Sequence, residues 1–406
     1  MIDKHRAICC KKITARKIEI VTFAKMVIEL YKNTIKNRML TRFAVKNYRG
    51  FKEQLVWDLS NPKNYSFNNE AIKDGVVKNG IIYGVNGSGK SNIGLAIFDI
   101  ANHLSHKWKK PDYYLNFACA ETPQLPVEFE YDLLLDGEKV TYCYSKRAKD
   151  IKVEMEEEHL FVNGRMLINK KGTTLEVAEE FGLSETAISY LKESENNISI
   201  VNYLLMSMPL PKGHILPKLR NFVENMLFFR SLDYREFIGL KEMGNNIEEY
   251  IINNNLTEDF ANYLETVSAQ KFNFVHPNAG DKILYCQIGE VKIPFTWVAS
   301  TGTKNLELQY YWLKEMGNAS FVFIDEFDAF YHFELSYSIA KTLFKNSHQV
   351  FLTTHDSYLL TNDLLRPDCY FIISENKIKP LCDLTDKELR YGHNLEKLYR
   401  GGTFGK

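Results

Sequence analysis

The clearest chemistry in this sequence lies at Gly84-Val85-Asn86-Gly87-Ser88-Gly89-Lys90-Ser91. The stretch fits the pattern G-x-x-x-x-G-K-[ST] in full. Its glycines let the backbone turn tightly and aim successive N–H groups at phosphate oxygens. The positive end of a following helix adds to that field. In this arrangement Lys90 reaches the β/γ-phosphates and the Ser91 hydroxyl ligates Mg²⁺. Asn86, Gly87, Ser88, Gly89 and Asn92 complete the cradle around them. Ile81-Ile82-Tyr83 reads as a buried strand before the loop, and Asn92 to Ile100 reads as a helix after it. A glycine-rich turn that binds nothing is the bland alternative. Strand, loop, Lys-Ser and helix in register argue against it, and the expected ligands are ATP and Mg²⁺.

Three further stretches carry chemistry that such a loop needs. Phe321-Val322-Phe323-Ile324 is an apolar strand ending in Asp325-Glu326. An Asp there holds Mg²⁺, and the Glu after it can accept a proton from attacking water. Ser300-Thr301-Gly302-Thr303-Lys304 precedes a helix and matches the S-x-G core of the ABC-type signature. In that reading Ser300, Gly302, Thr303 and Lys304 bind the γ-phosphate held by a second subunit; the bland reading is an ordinary helix cap. Phe351-Leu352-Thr353-Thr354 is another apolar strand and runs into His355, placed to meet the γ-phosphate or the water.

Composition sets the bounds. The chain has 406 residues, 45% hydrophobic and 25% charged, with a formal net charge of zero. Residues 1–38 hold ten Lys/Arg against three acidic residues, so the remainder is acidic on balance and is not a general polyanion binder. Seven cysteines without C-x-x-C spacing fit reduced thiols rather than zinc or disulfides. No apolar run reaches the length of a membrane span, and no secretory leader is recognisable. A cytoplasmic protein with no membrane partner is expected.

Four segments are expected to position the chemistry. Residues 1–38 read as a basic extension foreign to the rest of the chain, dispensable for folding, with Met39 as the start of the ordered pattern. Residues 39–170 form a lobe with the phosphate loop. Within it, Leu40–Lys52 alternates like an edge strand and 126–168 reads as an antiparallel meander turning at Asp136-Gly137 and Asn163-Gly164. Residues 171–272 read as a helical insertion, and 273–406 as an α/β lobe carrying Ser300, Asp325 and His355. Within the insertion, residues 173–192 have helix-turn-helix spacing. Their would-be reading helix has one basic residue against one acidic, too few for phosphate contacts, so two packed helices are the preferred reading.

The order of loop, long insertion, signature, acidic strand and histidine strand resembles the ABC-ATPase head plan. It is most similar to the SMC/RecF-like branch and, within it, to bacterial ATPases of the abortive-infection and overcoming-lysogenisation-defect group. The motifs that carry this are Leu40–Lys52, Gly84–Ser91, Ser300–Lys304, Ile324–Asp328 with His332, Thr354–Asp356 through Asp368, and Asn394–Gly405. The resemblance implies an α/β fold: a mixed, largely parallel phosphate-loop core, an antiparallel β lobe and an inserted helical arm. It implies ATP hydrolysis with Glu326 and His355 catalytic and Ser91 and Asp325 on the metal. It also implies an ATP-dependent homodimer, a separately encoded nuclease or toxin effector, and a role in anti-phage defence. A DNA-maintenance ATPase that binds DNA is the alternative, and a DNA-binding regulator using residues 173–192 a further one. Two departures stand out. Gln124 is the only candidate for the Q-loop glutamine, and too little chain follows His355 for the TOPRIM nuclease of OLD-type relatives, so no nuclease within the chain is expected.

Overall fold

The computed structural model describes residues 38–105, 114–149, 152–193, 198–230, 237–239, 246–278 and 280–405. The basic extension, up to residue 37, lies outside the described residues. Strands β1 (Arg38–Lys46) and β2 (Leu55–Asp58) open the fold, followed by a small ribbon of β3 (Ile72–Lys73) and β4 (Val76–Val77). Strand β5 (Asn79–Tyr83) runs into helices α1 (Lys90–Ile97) and α2 (Asp99–Leu104). Next comes the meander β6 (Val127–Leu135), β7 (Glu138–Lys149), β8 (Lys152–Val162), β9 (Arg165–Lys171) and β10 (Thr174–Val177). Helices α3 (Glu185–Glu193), α4 (Ile200–Ser207) and α5 (Ile215–Glu224) lead to β11 (Met226–Arg230) and β12 (Phe237–Gly239). Helices α6 (Ile247–Asn253) and α7 (Thr257–Ser268) precede the hairpin β13 (Tyr285–Ile288) and β14 (Val291–Pro294). The chain closes with α8 (Phe295–Val298), α9 (Thr301–Glu315), β15 (Phe321–Asp325), α10 (Phe333–Leu343), β16 (Gln349–Thr353), β17 (Tyr370–Ser374), β18 (Lys377–Pro380) and α11 (Leu395–Arg400).

Two seven-stranded sheets result. One is antiparallel, in the order β10-β9-β8-β7-β6-β1-β2. The other runs β12-β11-β15-β16-β5-β17-β18, and its five inner strands are parallel. The sequence explains the contrast. Strand β6 alternates buried and partly exposed residues along its length, as a sheet with one covered face requires. Strands β5, β15 and β16 are buried at every residue, as parallel strands covered on both faces must be.

The sheets share one core. Trp57 of β2 packs its ring between Phe351 and Phe371 of the parallel sheet. The buried Gln349 side chain at the start of β16 takes the Leu40 N–H at 2.7 Å and donates to the Leu40 and Val77 carbonyls. On the other side, Asp99 of α2 receives Tyr144 at 2.8 Å and Lys146 at 2.5 Å, both from β7. The helix pair after the phosphate loop is thus fixed to the antiparallel sheet by a buried ion pair.

Three expectations change. Strand β1 is not an edge: it pairs with both β6 and β2, and β2 is the edge. Arg38, the first described residue, already belongs to this strand, and its guanidinium bridges Asp136. The 171–272 segment is not wholly helical, because Met226–Arg230 is a strand of the parallel sheet. A four-residue apolar run has no period to distinguish strand from helix, and pairing with β15 decides it. Nor do residues 173–192 form two packed helices: Thr174–Val177 pairs with β9, extending the meander through a turn at Gly172, Glu179–Phe181 is a single 3-10 turn, and α3 is the one α-helix of the stretch.

Candidate functional site

The parallel register brings the chemistry to one edge. Thr353 stands opposite Ile82, Leu352 opposite Ile324, and Asp325 opposite Arg230. The phosphate loop leaves β5 at this edge, Asp325-Glu326 leave β15, and Thr354-His355 leave β16. The histidine strand lies between the loop strand and the acidic strand. Ligands of open α/β sheets bind outside these carboxyl ends.

The loop has the geometry of a phosphate cradle. Lys90 is buried, and its Nζ folds back to donate to the Gly84 carbonyl at 2.8 Å and the Val85 carbonyl at 3.2 Å. Burial pushes its pKa down, while the charges of Asp325 and Glu326 push it up. Gly89 has φ 103°, and a Cβ there would meet the Phe51 ring at 2.6 Å. At Gly84 a Cβ would collide with Ser88 Oγ. The Ser88 hydroxyl itself is buried with no hydrogen-bond partner, a polar atom that a phosphate oxygen would satisfy. Asn86 and Gly87 form the exposed rim, and Ser91 and Asn92 are half-buried at the start of α1. These residues fit a nucleotide phosphate chain.

Two threonines lock the acidic and histidine strands together. Thr353, fully buried, donates its hydroxyl to Asp325 Oδ1 at 2.7 Å and accepts the Glu326 N–H at 2.8 Å. Glu326 has φ 49°, a left-handed conformation that costs a non-glycine residue about 1–3 kcal/mol and that is common at functional sites. Thr354 donates to Asp328 Oδ2 at 2.5 Å and accepts the Asp356 N–H at 2.8 Å. Burial pushes the Asp328 carboxyl up against that hydroxyl's pull. His355 projects at the strand end, where partial desolvation and then the Lys90 charge lower its pKa, with Asp325 acting in the opposite direction. A neutral imidazole suits a hydrogen bond to phosphate or water. Asp325 is buried, with Arg230 Nε 3.4 Å from its Oδ2.

Ser300–Lys304 form a different kind of structure. Ser300 caps α9, its Oγ taking the Thr303 N–H at 3.1 Å. Thr303 is buried and its hydroxyl donates to Gln270 at 2.8 Å, so it braces the cap from inside and does not face outward. Gly302 faces the Phe330 carbonyl, 3.3 Å from where a Cβ would stand. The loop 327–332 and the α9 N-terminus therefore lie together, and His332 caps α10.

The sequence reading missed two residues here. Arg49 sits in a turn with φ 48° and points Nη1 to Asn92 Oδ1 at 3.4 Å, over the Tyr48 ring. The turn is held by buried Asn47, which donates to the Thr122 and Leu125 carbonyls. The second is Arg230. Gln124 lies in the exposed loop leading into β6, where its carbonyl accepts from Arg147, so it does not flank the acidic strand β15. The strand that does, β11, ends in Arg230.

A protein-family model matches residues 240–361, and its description is "AAA domain, putative AbiEii toxin, Type IV TA system". The matched segment spans the α9 cap, the acidic strand and the histidine strand just described. Over that segment the chain is similar to this AAA family. Among solved structures, the chain is similar to an SMC head bound to the C-winged helix domain of ScpA. That likeness has 14% identity, 84% of this chain and 96% of the other covered, and TM-score 0.44. It is also similar to the SMC head domain from Thermotoga maritima, at 14% identity, 84% and 98% coverage and TM-score 0.41. These likenesses are too distant to carry an argument about function. No curated protein matches the chain. Among the described residues, no helix is long and apolar enough to cross a membrane.

Proposed function

We propose that this chain is an ABC-type ATPase head that binds and hydrolyses Mg-ATP at the carboxyl edge of its parallel sheet and pairs with a second copy around the nucleotide. The observation that carries the reading is the Thr353 hydroxyl. It joins Asp325 to the backbone of Glu326 on the strand beside the phosphate loop, so metal-binding and proton-accepting groups are set in one rigid frame. Gly84–Asn92 would hold the phosphates, with Arg49 at the mouth. Ser91 and Asp325 would hold Mg²⁺, which offsets phosphate charge when bound. Glu326 would take the proton of the attacking water, and His355 would hydrogen-bond the terminal phosphate. Ser300, Gly302 and Lys304 of the second copy would close the site.

The description of the matching family, a toxin of a type IV toxin–antitoxin system, supports placing this cycle in defence; control of a separately encoded effector by the closed pair is what the resemblance to abortive-infection ATPases implies. The acidic balance of residues 39–406 favours this over general DNA binding. The decisive measurement is steady-state ATP hydrolysis by the purified chain beside Lys90→Ala. Equal turnover in both would remove the assignment of the loop. Salt-sensitive duplex binding that depends on ATP would move the reading to DNA maintenance.

A further inference from the structure

Asp325 is shared. Its Oδ1 takes the Thr353 hydroxyl at 2.7 Å, and its Oδ2 faces Arg230 Nε at 3.4 Å. Strand β11 sets this pair by register, since Arg230 is the residue directly opposite Asp325 in the parallel ladder. The carboxylate is dry, 1% exposed, while the Arg230 side chain, at 18%, reaches it from the wetter side. The guanidinium therefore sits on the oxygen that a divalent ion needs. An arginine cannot step aside by losing its proton; it must move. Nearby, Lys90 feels both Asp325 and Glu326 while its ammonium is folded back on its own loop carbonyls. Lys90 and Arg230 thus both act on Asp325 at this edge.

A triphosphate with its metal changes that arrangement. Mg²⁺ held by Asp325 would compete with the guanidinium for the carboxylate, and a bound triphosphate would bring net negative charge to the same carboxyl edge. Arginine's planar fork matches phosphate oxygens, and an arginine supplied within the same chain can stabilise charge in phosphoryl transfer.

We infer that Arg230 is a switch cation: it holds Asp325 in the unliganded chain, yields it to Mg²⁺ when nucleotide enters, and then turns onto the triphosphate. This rests on the assignment of Gly84–Asn92 and Asp325 to Mg-ATP. It gives Arg230 two opposed effects, competing with the metal and assisting the phosphates, that a purely structural ion pair would not combine.

The test is binding of a fluorescent ATP analogue, first in EDTA and then during a Mg²⁺ titration, for the wild type, Arg230→Ala, Arg230→Gln, Arg230→Lys and Lys90→Ala. Without the guanidinium, the Mg²⁺ concentration for half-maximal binding should fall about tenfold. Metal-free affinity should weaken several-fold and turnover should fall about a hundredfold. Arg230→Gln keeps reach and polarity without charge, so it should repeat these results even where the alanine variant folds poorly. Arg230→Lys should retain the wild-type metal requirement with only partial turnover. An unchanged Mg²⁺ midpoint in both neutral variants, with wild type binding normally and Lys90→Ala not, overturns the switch and leaves the loop assignment standing. Binding by Lys90→Ala equal to wild type instead removes the assignment itself.

Discussion

The carboxyl edge of the parallel sheet and the N-terminus of α9 were both marked by sequence as parts of one site, and they are built in opposite ways. At the sheet edge, polar groups from different strands are tied to one another: Thr353 to Asp325 and Glu326, Thr354 to Asp328. One polar atom, Ser88 Oγ, is left buried and unsatisfied, open to a ligand. At α9, the same kinds of residue satisfy their own helix, with Ser300 on the Thr303 N–H and Thr303 on Gln270. The first region is assembled from neighbouring strands of one chain. The second is a finished cap that becomes a site only if another chain brings it a phosphate. What separates them is long-range pairing, since strand adjacency creates the first and local capping suffices for the second.

The largest effect should come from removing the ammonium at the loop. Lys90→Ala should lose ATP binding and hydrolysis together, read by nucleotide titration, because a buried ammonium is what offsets the triphosphate charge there. Retained affinity would dissolve the distinction between the two regions. Next, Glu326→Gln should lower turnover by about 10²–10⁴ while leaving ATP bound, the range for loss of a general base. A rate within threefold of wild type would transfer the role to another group. A smaller loss, about ten- to a hundredfold in kcat with KM little changed, is expected for Thr353→Val. That variant removes a hydrogen bond to a charged group, worth about 1.5–3 kcal/mol, and frees the strained Glu326 backbone. Thr353→Ser should restore most of it. If serine does not rescue, the methyl packing matters and not the hydroxyl.

How much of this was legible depends on where the information lies along the chain. Asp325, Glu326 and His355 could be read because each ends a fully apolar run, and a run that is buried throughout must leave its polar residues at its ends. Arg230 could not, because Met226-Leu227-Phe228-Phe229 has no period and Arg230 gains its meaning only from the pairing of β11 with β15. Arg49 was hidden for a similar reason: a left-handed turn folds it back onto Asn92, 43 residues on. Some of the resemblance is structural. Within Leu359–Asp368, Asn362 donates to the carbonyls of Arg390, Tyr391 and His393, and Arg366 pairs with Asp368 in the core. Asn362 thus ties down the stretch that leads into the closing segment, and Arg366 and Asp368 fasten their own loop to Lys63.

The subtlest prediction concerns the cap itself. Gly302 lies against the 327–332 loop, with the Phe330 carbonyl 3.3 Å from where a Cβ would stand. It lies in the first turn of α9, where the helix presents free N–H groups. Gly302→Asp would put a carboxylate where a second copy's γ-phosphate is proposed to dock. Within one chain that change is remote from the loop's own chemistry, so ATP affinity should move less than twofold. Between chains it should be decisive. Glu326→Gln retains ATP, and whatever binds only the paired form stabilises it by mass action. Light scattering should therefore show that variant doubling in mass with Mg-ATP, and the double variant with Gly302→Asp staying single. If the double variant pairs equally well, Ser300–Lys304 is a helix cap and nothing more. If neither pairs, closure needs a further partner. A loss of ATP affinity in Gly302→Asp alone would place the α9 N-terminus against the loop of its own chain, and the two regions would be one site after all.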